Sequence, residues 1–372
     1  MSRAPFPRRV IVIGTGLIGT SAALALRRHG AGVWLADRDP AAARLAADLG
    51  AGEVLDAGGA PGGPADVALI AVPPAAVATA LAQAQKAGLA RAYTDAASVK
   101  ALPVARAREA GCDLSSYVPG HPLAGRERSG PAAARADLFL GRTWALCPAA
   151  ETAAEAVDAV TALVTACGAE PVLTDAATHD RWVALVSHAP HVVAAAMAAQ
   201  LAPAPVADEA LRLAGQGLRD ATRIAVGDTA LWAQILGGNA TPVAEVLAAV
   251  AADLTQAAAV LADAARAETP EDVALGGLAG VLDRGRAGVA RIPGKRGGPA
   301  RAFTAIQVVI NDRPGELARL FAAVGEAGVN IEDVGIEHSP GLPVGVAELS
   351  VRPESSDRLI AALAASGWPV RR

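Results

Sequence analysis

The sequence predicts an α/β protein in three parts: an N-terminal Rossmann-type doubly wound sheet, an all-helical second domain and a C-terminal α+β module. The first part follows from β-branched runs that alternate with alanine-rich helical patterns over residues 8–174. The second follows from the loss of strand patterns over 175–284, where helical periodicity dominates. A basic linker rich in Gly and Pro at 285–302 precedes residues 303–372, where strands return in the order βαββαβ.

The predicted elements follow this order along the chain. Buried strands, each an apolar run too short for a helix, are predicted at 9–14, 32–37, 67–73, 91–96, 143–148 and 170–174. Helices of the second domain, each with apolar residues at helical spacing, are predicted at 178–201, 206–217, 228–236, 241–267 and 271–284. In the last module FTAIQVVI and VGVAELSV have strand character, and helices are predicted at 315–327 and 355–366.

Composition favours a protein that acts on a small molecule. Hydrophobic residues make up 52% of the chain and charged residues 19%, and the apolar excess is mostly alanine, which favours soluble helices over membrane anchors. The formal charge of −4 argues against a nucleic-acid or anionic-membrane partner. The three cysteines lack CxxC spacing, so neither disulfides nor zinc is predicted. The N-terminus has no signal-peptide pattern, which predicts a cytoplasmic protein.

The segment VIVIGTGLIGTS carries a glycine pattern that predicts a dinucleotide-binding loop. Gly14, Gly16 and Gly19 follow a strand and open a helix, so that N–H groups at the helix N-terminus can receive the phosphates. Asp37 favours NAD, because its carboxylate can bind a ribose hydroxyl and repel a 2'-phosphate, whereas Arg38 keeps NADP open. The candidate cofactor contacts are Gly14, Thr15, Gly16, Leu17, Ile18, Gly19, Asp37, Arg38, Val72, Pro73 and Ser98.

Two further polar segments, TDAASVK and PGHPLAGRERSG, lie where predicted strands end. Sites of doubly wound sheets form at the carboxyl ends of strands, so Ser98, Lys100 and His121 are expected to converge near the nicotinamide. The ordinary pKa of histidine lies near operating pH, so His121 can remove a hydroxyl proton while hydride leaves the same carbon. The alternative is a structural loop histidine.

The segment THDRWVALVSHAPH holds His179, His188 and His191, half of the six histidines in the chain. In a regular helix His179 lies about half a turn from His188, so the three side chains cannot hold one ion, and no metal site is predicted. Pro190 removes a helical hydrogen bond and is expected to kink the helix, turning Ser187, His188 and His191 toward a common cavity. For His179 a purely structural role stays open.

Five motifs, in the order GTGLIGTS, DAASVK, HPLAGRERSG, THDRWVALVSHAPH and GLRDATRIA, resemble those of prephenate dehydrogenases of tyrosine biosynthesis over about residues 8–300. The resemblance implies NAD-dependent oxidative decarboxylation of prephenate to 4-hydroxyphenylpyruvate by a homodimer, paired through the helical domain. Residues 303–372, with NDRPGELARLFAAVGEAGVNIEDV, resemble an ACT domain, a regulatory module of amino-acid metabolism.

The resemblance also implies roles for individual residues. His121 would take the hydroxyl proton, and Ser98 would hydrogen-bond the hydroxyl or the imidazole. Arg223 would pair with a substrate carboxylate, since a guanidinium can engage both oxygens, and Arg219 is the alternative. The substrate side would include Glu127, His179, Ser187, His188, His191 and Trp232.

In the ACT-like module, turns of this kind would bind an amino acid between paired modules. The candidate effector contacts are Asn311, Asp312, Gly315, Asn330 and Ile331. Tyrosine is the logical effector because it is the pathway product. The alternative is a dimerisation module without a ligand.

Three other functions stay open. Arogenate dehydrogenase shares the fold and the ring chemistry. A non-catalytic sensor of dinucleotide and amino acid would not need Ser98, His121 and Arg223, so their presence argues against it. A β-hydroxyacid dehydrogenase would rely on a lysine in the helical domain, and no lysine occurs between 175 and 284.

Overall fold

The structure is a computed structural model that describes residues 6–56, 62–125, 128–202, 211–266, 276–292, 303–338 and 343–371. The chain divides into two compact units, residues 1–250 and 251–372, and the boundary falls inside one long helix. The first unit carries the candidate active site, and the second contains the C-terminal module.

A six-stranded parallel sheet forms the centre of the first unit. Its order, β3-β2-β1-β4-β5-β6, confirms the predicted doubly wound fold. The strands are β1 Arg9–Ile13, β2 Gly32–Ala36, β3 Glu53–Val54, β4 Ala65–Ile70, β5 Ala90–Asp95 and β6 Tyr117–Val118. The helices between them are α1 Leu17–Arg28, α2 Pro40–Asp48, α3 Val77–Lys86 and α4 Ala101–Glu109. Side chains alternate between the faces, so Val10 and Val12 enter one apolar layer and Ile11 enters the other.

Two predicted strands, 143–148 and 170–174, do not join the parallel sheet. They lie in a separate sheet that consists of β7 Gly120–Pro122, β8 Thr143–Leu146 and β9 Glu170–Leu173. Their predicted place was wrong because β6 and β7, which end one sheet and begin the other, are too short to leave an apolar pattern. Helix α5, Ala154–Ala166, connects β8 to β9. This second sheet holds His121 on β7, beside β5.

Helices complete the first unit and begin the second. They are α6 Ala176–Val183, α7 Ala189–Ala199, α8 Gln216–Thr222, α9 Thr229–Gly238, α10 Ala240–Ala264 and α11 Gly276–Val289. A π-helical turn, Ala184–His188, joins α6 to α7 just before Pro190. Helix α11 extends through Val289 into the predicted linker, because RGRAGV contains no proline to end it. Residues 293–302 of that linker, and 206–210 of a predicted helix, lie outside the described residues.

Two helical segments, Ala176–Ala199 and Ala240–Ala264, are long and apolar enough to cross a membrane by length and composition alone. The first segment buries His179, Asp180 and His188 inside the first unit. Buried polar side chains with hydrogen-bond partners are typical of a core helix that forms one wall of a site. This segment is therefore described below as part of the candidate active site.

The C-terminal module has the predicted order βαββαβ. Its elements are β10 Thr304–Asn311, α12 Glu316–Glu326, β11 Asp333–His338, β12 Val344–Val351, α13 Pro353–Ala365 and β13 Val370–Arg371. The strands form an antiparallel sheet in the order β11-β12-β10-β13. Ile306 and Val308 of β10 pack with Leu320 and Leu359 of the two helices, so one face of the sheet is buried.

Candidate active site

The turn after β1 brings backbone segments very close together. Gly14 has φ +98°, and a Cβ there would lie 2.4 Å from the carbonyl oxygen of Ala71. A Cβ on Gly19 would lie 1.9 Å from the carbonyl oxygen of Gly14. At Gly16 an added Cβ would meet nothing within 4 Å, and this residue caps the N-terminus of α1. Gly14 and Gly19 are therefore packing positions, whereas Gly16 leaves space for a ligand.

Asp37 ties this turn to the end of β2. Its Oδ2 accepts hydrogen bonds from the N–H of Thr15 at 2.6 Å and from the Thr15 hydroxyl at 2.9 Å, and its Oδ1 accepts from the N–H of Asp39 at 2.9 Å. Thr15 is fully buried behind the turn, whereas Leu17 and Ile18 are half-buried. Each carboxylate oxygen can accept two hydrogen bonds, so Asp37 is fixed in place and keeps acceptor capacity for a hydroxyl.

A cavity of about 1090 Å³ opens at the carboxyl ends of β1, β2 and β4. Six of the predicted cofactor contacts line it: Gly14, Gly16, Asp37, Arg38, Val72 and Pro73. Gln83 of α3 and Gln234 of α9 also line the cavity. These two were not predicted from the sequence, because a glutamine in a mostly apolar helix has no distinguishing pattern. The cavity lies where doubly wound sheets bind dinucleotides.

His121 heads a buried chain of hydrogen bonds. Its Nδ1 lies 2.9 Å from Nε2 of His179, and Nδ1 of His179 lies 2.8 Å from Oδ1 of Asp180. The three residues are 9%, 2% and 3% exposed. Asp180 also accepts from the N–H groups of Lys100 at 2.8 Å and Ala101 at 2.9 Å, where α4 begins. His179, predicted on the substrate side, therefore lies behind His121 instead.

The surroundings of His121 disfavour its charged form. Burial lowers the pKa of His121 well below its ordinary value, and the nearby His179, Lys100 and His188 lower it further. The imidazole is therefore neutral at neutral pH, which is the form that can accept a proton.

A buried ion pair supports the strand that carries His121. The ammonium of Lys100 pairs with Oδ1 of Asp95 and donates to the carbonyl oxygen of Gly120, and the Tyr117 hydroxyl donates to Oδ2 of Asp95 at 2.6 Å. Lys100 and Asp95 are fully buried, so the prediction that Lys100 reaches the nicotinamide was wrong. Loss of one partner would leave an uncompensated buried charge, at a cost of about 3–5 kcal/mol.

Just before Pro190, where a kink was predicted, the helix forms the π turn Ala184–His188. A π turn advances each residue by a smaller angle than an α-helix, which reduces the half-turn separation of His179 and His188. His188 is 1% exposed, and its Nδ1 lies 3.1 Å from Nδ2 of Asn239, which also donates to the carbonyl oxygen of Asp180 at 2.7 Å. Burial lowers the pKa of His188 to about 4, so its neutral ring can accept from Asn239.

His191 and Trp232 continue this wall. Their rings stack with centroids 3.5 Å apart and an angle of 12° between the planes. His191 also hydrogen-bonds the backbone of Ile224, and burial lowers its pKa. Ile224 follows Arg223 in a 3-10 turn that packs on α7, and Arg223 is exposed. The structure therefore brings together His191 and Trp232, two of the predicted substrate contacts, and Arg223, a third, precedes the residue whose backbone His191 contacts.

Three other predicted site residues are at least partly exposed. Ser98 is half-buried in the loop after β5, next to Ala97, whose N–H donates to Asp95. Ser187 is exposed on the π turn, and Arg219 is exposed on α8. Glu127 lies outside the residues that the structure describes.

The predicted effector residues separate into two groups. Asn311, Asp312 and Gly315 lie where β10 meets α12, and the Asn311 amide donates to Glu316. Asn330 and Ile331 follow the other end of α12. Asn330 borders a cavity of about 320 Å³ together with Gly328, Arg352 and Ser355. Within one copy of the module the five residues therefore do not form a single site.

Three side chains that organise the site were not predicted from the sequence: Asp95, Asp180 and Asn239. A carboxylate directly after His179 was an available signal for Asp180, because histidines are commonly oriented by a neighbouring carboxylate. Asp95 gave a weaker signal, as a charged residue that ends a buried strand. Asn239 follows α9 and resembles an ordinary helix end, so no pattern singles it out.

Comparisons with known proteins agree with this geometry. Residues 22–173 match the family described as prephenate dehydrogenase, nucleotide-binding domain, and residues 175–272 match prephenate dehydrogenase, dimerization domain. The probable prephenate dehydrogenase NovF of Streptomyces niveus is 40% identical over 97% of this chain and 99% of its own length. The cyclohexadienyl dehydrogenase of Zymomonas mobilis is 33% identical over 66% of this chain and 86% of its own.

Solved structures share the fold. Synechocystis arogenate dehydrogenase is 26% identical with a TM-score of 0.61, and the similarity covers 76% of this chain and 99% of that chain. The prephenate dehydrogenase from A. aeolicus, solved in complex with hydroxyphenyl propionate and NAD+, is 24% identical with a TM-score of 0.64, over 76% of this chain and 98% of that chain. At 24% identity, the similarity to the A. aeolicus structure shows a shared fold alone.

Proposed function

Because the chain belongs to the prephenate dehydrogenase family, we propose that it is a cytoplasmic oxidoreductase that converts prephenate and NAD to 4-hydroxyphenylpyruvate, CO2 and NADH. The observation that carries the proposal is the burial of His121 on β7, next to β5, the strand that follows β4 in the parallel sheet. Oxidation of an alcohol requires a group that accepts the hydroxyl proton and a site for the nicotinamide cofactor, and the site contains a candidate for each.

The residues of the cavity fit NAD. The open space at Gly16 lets the pyrophosphate approach N–H groups at the start of α1. The anchored carboxylate of Asp37 suits the two hydroxyls of an adenosine ribose and would repel a 2'-phosphate. When bound, NAD would accept the hydride from the hydroxyl-bearing carbon of the substrate.

The side chains of the site supply the rest of the chemistry. His121 accepts the hydroxyl proton as the carbon is oxidised, and loss of CO2 then makes the ring aromatic. Ser98 hydrogen-bonds the same hydroxyl or the imidazole. Arg223 binds a substrate carboxylate, with His191 and Trp232 as the adjoining wall. Ser187, His188 and Glu127 complete the substrate side in this proposal.

The decisive experiment follows NADH and NADPH formation with prephenate and arogenate side by side. We expect turnover of prephenate with NAD. Arogenate is the second candidate substrate, because the fold is also that of an arogenate dehydrogenase. Absence of turnover with either substrate would contradict an enzymatic function and favour a sensor.

We also propose that the protein is a homodimer paired through residues 175–272, the region that matches a dimerization domain. Helix α10 supports this, because Leu254 and Leu261 expose 63% and 51% of their surface on an apolar helix. Light scattering during gel filtration should give twice the mass of the chain, and a monomer at micromolar concentration would contradict the proposal.

For the C-terminal module we propose binding of tyrosine as a feedback effector. Arg352 and Asn330 support this, because they border the small cavity and can bind a carboxylate. Tyrosine should inhibit turnover, and Arg352→Ala should weaken the inhibition without changing kcat. If tyrosine neither binds nor inhibits, the module serves another purpose, such as dimerisation.

A further inference from the structure

We infer that His179, backed by Asp180, is a positioning residue that fixes the tautomer of His121 and takes up its Nδ1 proton during turnover. The inference rests on the proposed dehydrogenase function and deepens it. It starts from two contacts described above, His121 Nδ1 to His179 Nε2 at 2.9 Å and His179 Nδ1 to Asp180 Oδ1 at 2.8 Å.

The carboxylate of Asp180 determines where the protons lie in the hydrogen-bonded series His121–His179–Asp180. An ionised carboxylate only accepts, so the proton in its contact with His179 belongs to Nδ1 of His179. A neutral His179 then has an unprotonated Nε2, so the proton between the two rings belongs to Nδ1 of His121. The remaining nitrogen of His121, Nε2, is left unprotonated. This is the nitrogen that can accept a proton from a substrate.

Two further contacts show that both oxygens of Asp180 act as acceptors. Its Oδ1 accepts from the N–H of Lys100, and its Oδ2 accepts from the N–H of Ala101, at the N-terminus of α4. Both oxygens of Asp180 therefore face N–H donors, as an acceptor-only carboxylate requires. The start of α4 thereby connects the fold to the tautomer of a side chain on β7.

His179 also offers a better place for a positive charge than His121. An imidazolium at His121 would be buried, with the ammonium of Lys100 and the ring of His188 nearby and no carboxylate in direct contact among the described residues. An imidazolium at His179 would lie against the Asp180 carboxylate. A short shift of the proton from His121 Nδ1 to His179 Nε2 therefore moves the charge to its counter-ion.

The proton balance of the reaction agrees with temporary uptake of a proton by His179. As hydride leaves the carbon, the substrate O–H bond breaks and an N–H bond forms at Nε2 of His121, while the Nδ1 proton passes to His179. When CO2 leaves and the ring becomes aromatic, the oxygen takes a proton back as a phenol, and both shifts reverse. Prephenate and NAD give the three products without net release of a proton. Burial of His179 and Asp180, at 2% and 3% exposure, therefore does not obstruct turnover.

Two substitutions separate the parts of this role. In His179→Gln the amide oxygen can still accept from His121 Nδ1, so the tautomer is kept, but glutamine cannot take up a proton. In His179→Leu both the acceptor and the proton store are lost. We expect kcat to fall about tenfold in the first variant and about a hundredfold in the second, with KM for prephenate and Kd for NAD within about twofold of wild type. His29→Gln, at an exposed histidine outside the site, is the control.

A second measurement reports the tautomer without catalysis. Nitrogen-15 NMR of the ligand-free protein should show His121 protonated on Nδ1 in wild type and in His179→Gln, and a mixture of tautomers in His179→Leu. A His121 that carries its proton on Nε2 in wild type would overturn the inference, as would unchanged kcat in both variants. Unchanged kcat in His179→Gln alone would overturn the proton uptake. No turnover by wild type would contradict the proposed function instead, and the NMR result would still decide the tautomer.

Discussion

The cofactor side and the substrate side of the site are built in different ways. The cofactor side depends on close backbone packing around one turn, where a side chain at Gly14 would meet the carbonyl of Ala71 and one at Gly19 would meet the carbonyl of Gly14. The substrate side depends on side chains from distant elements, since His121 and His179 are separated by 58 residues. The glycines of such a turn can be recognised from their spacing in the sequence, whereas a side-chain network exists only after β7 and α6 have packed together.

The largest expected effect separates the two sides directly. His121→Asn removes the proton acceptor and should lower kcat by about 10²- to 10⁴-fold, the usual contribution of a general base. The turn after β1 is untouched, so NAD affinity should not change. Steady-state kinetics and calorimetric titration with NAD test this together. An unchanged kcat would mean that His121 is not the base.

A smaller effect is expected at the far end of the substrate wall. Arg223→Ala removes a charged hydrogen-bonding partner of the substrate, worth about 1.5–3 kcal/mol, and should raise KM for prephenate about 10- to 100-fold with little change in kcat. Arg219→Ala, on the neighbouring helix α8, is the matched control. If KM responds to the Arg219 substitution and not to the Arg223 substitution, Arg219 is the carboxylate partner.

The two kinds of glycine in the turn can be separated in the same way. Gly16→Ala adds a methyl group in open space, so it should leave the unfolding temperature unchanged but weaken NAD binding about tenfold, by crowding the approach of the phosphates. Gly19→Ala places its methyl group against the Gly14 carbonyl and should lower stability by about 1–3 kcal/mol. Thermal unfolding and NAD titration of both variants distinguish a ligand-facing glycine from a packing glycine. Equal stability of the two variants would contradict the distinction.

The smallest expected effect is a pH dependence that belongs to the substrate side. Burial lowers the pKa of His121, His188 and His191 in the folded protein, His188 to about 4. Below the unfolded pKa of about 6.5 the unfolded chain therefore binds more protons, and stability should fall as pH drops from about 6.5 toward 4. Lys100, His179 and Asp180 also affect the pKa values of His121 and His188. We therefore expect a single histidine to account for only part of the change in stability.

His188→Gln tests that contribution. The variant should lose about 1 kcal/mol less stability than wild type between pH 7 and pH 5, measured by urea unfolding at both values. The His29→Gln variant again serves as the control, because His29 is exposed. A wild-type protein as stable at pH 5 as at pH 7 would contradict buried neutral histidines.

Periodicity in the sequence was sufficient for most of the fold. Buried strands and alanine-rich helices alternate in the first domain, and the six-stranded parallel sheet follows from that rhythm. The prediction was wrong where strands are very short. Tyr117–Val118 and Gly120–Pro122 have too few residues to form a pattern, so the change from one sheet to the other at that point was not visible.

For the site, the sequence identified residue types better than positions. His121, His188 and His191 were singled out by their neighbours, and all three prove to be buried. Lys100 was placed near the cofactor, yet it lies in an ion pair with Asp95 that no sequence pattern indicates. Polar side chains in a core must find partners, and the partners are chosen by tertiary packing.

The sequence alone determined the turn after β1, the alternation of strands and helices and the choice of chemically able side chains. These depend on interactions between residues near in the chain, which local spacing records. The tertiary structure decided that His179 lies behind His121, that Asp180 caps α4 and orients His179, and that the helix before Pro190 widens into a π turn. The contact of His121 with His179 joins residues 58 apart, and the contacts of Asp180 with the start of α4 join residues 80 and 79 apart. No local pattern contains such geometry.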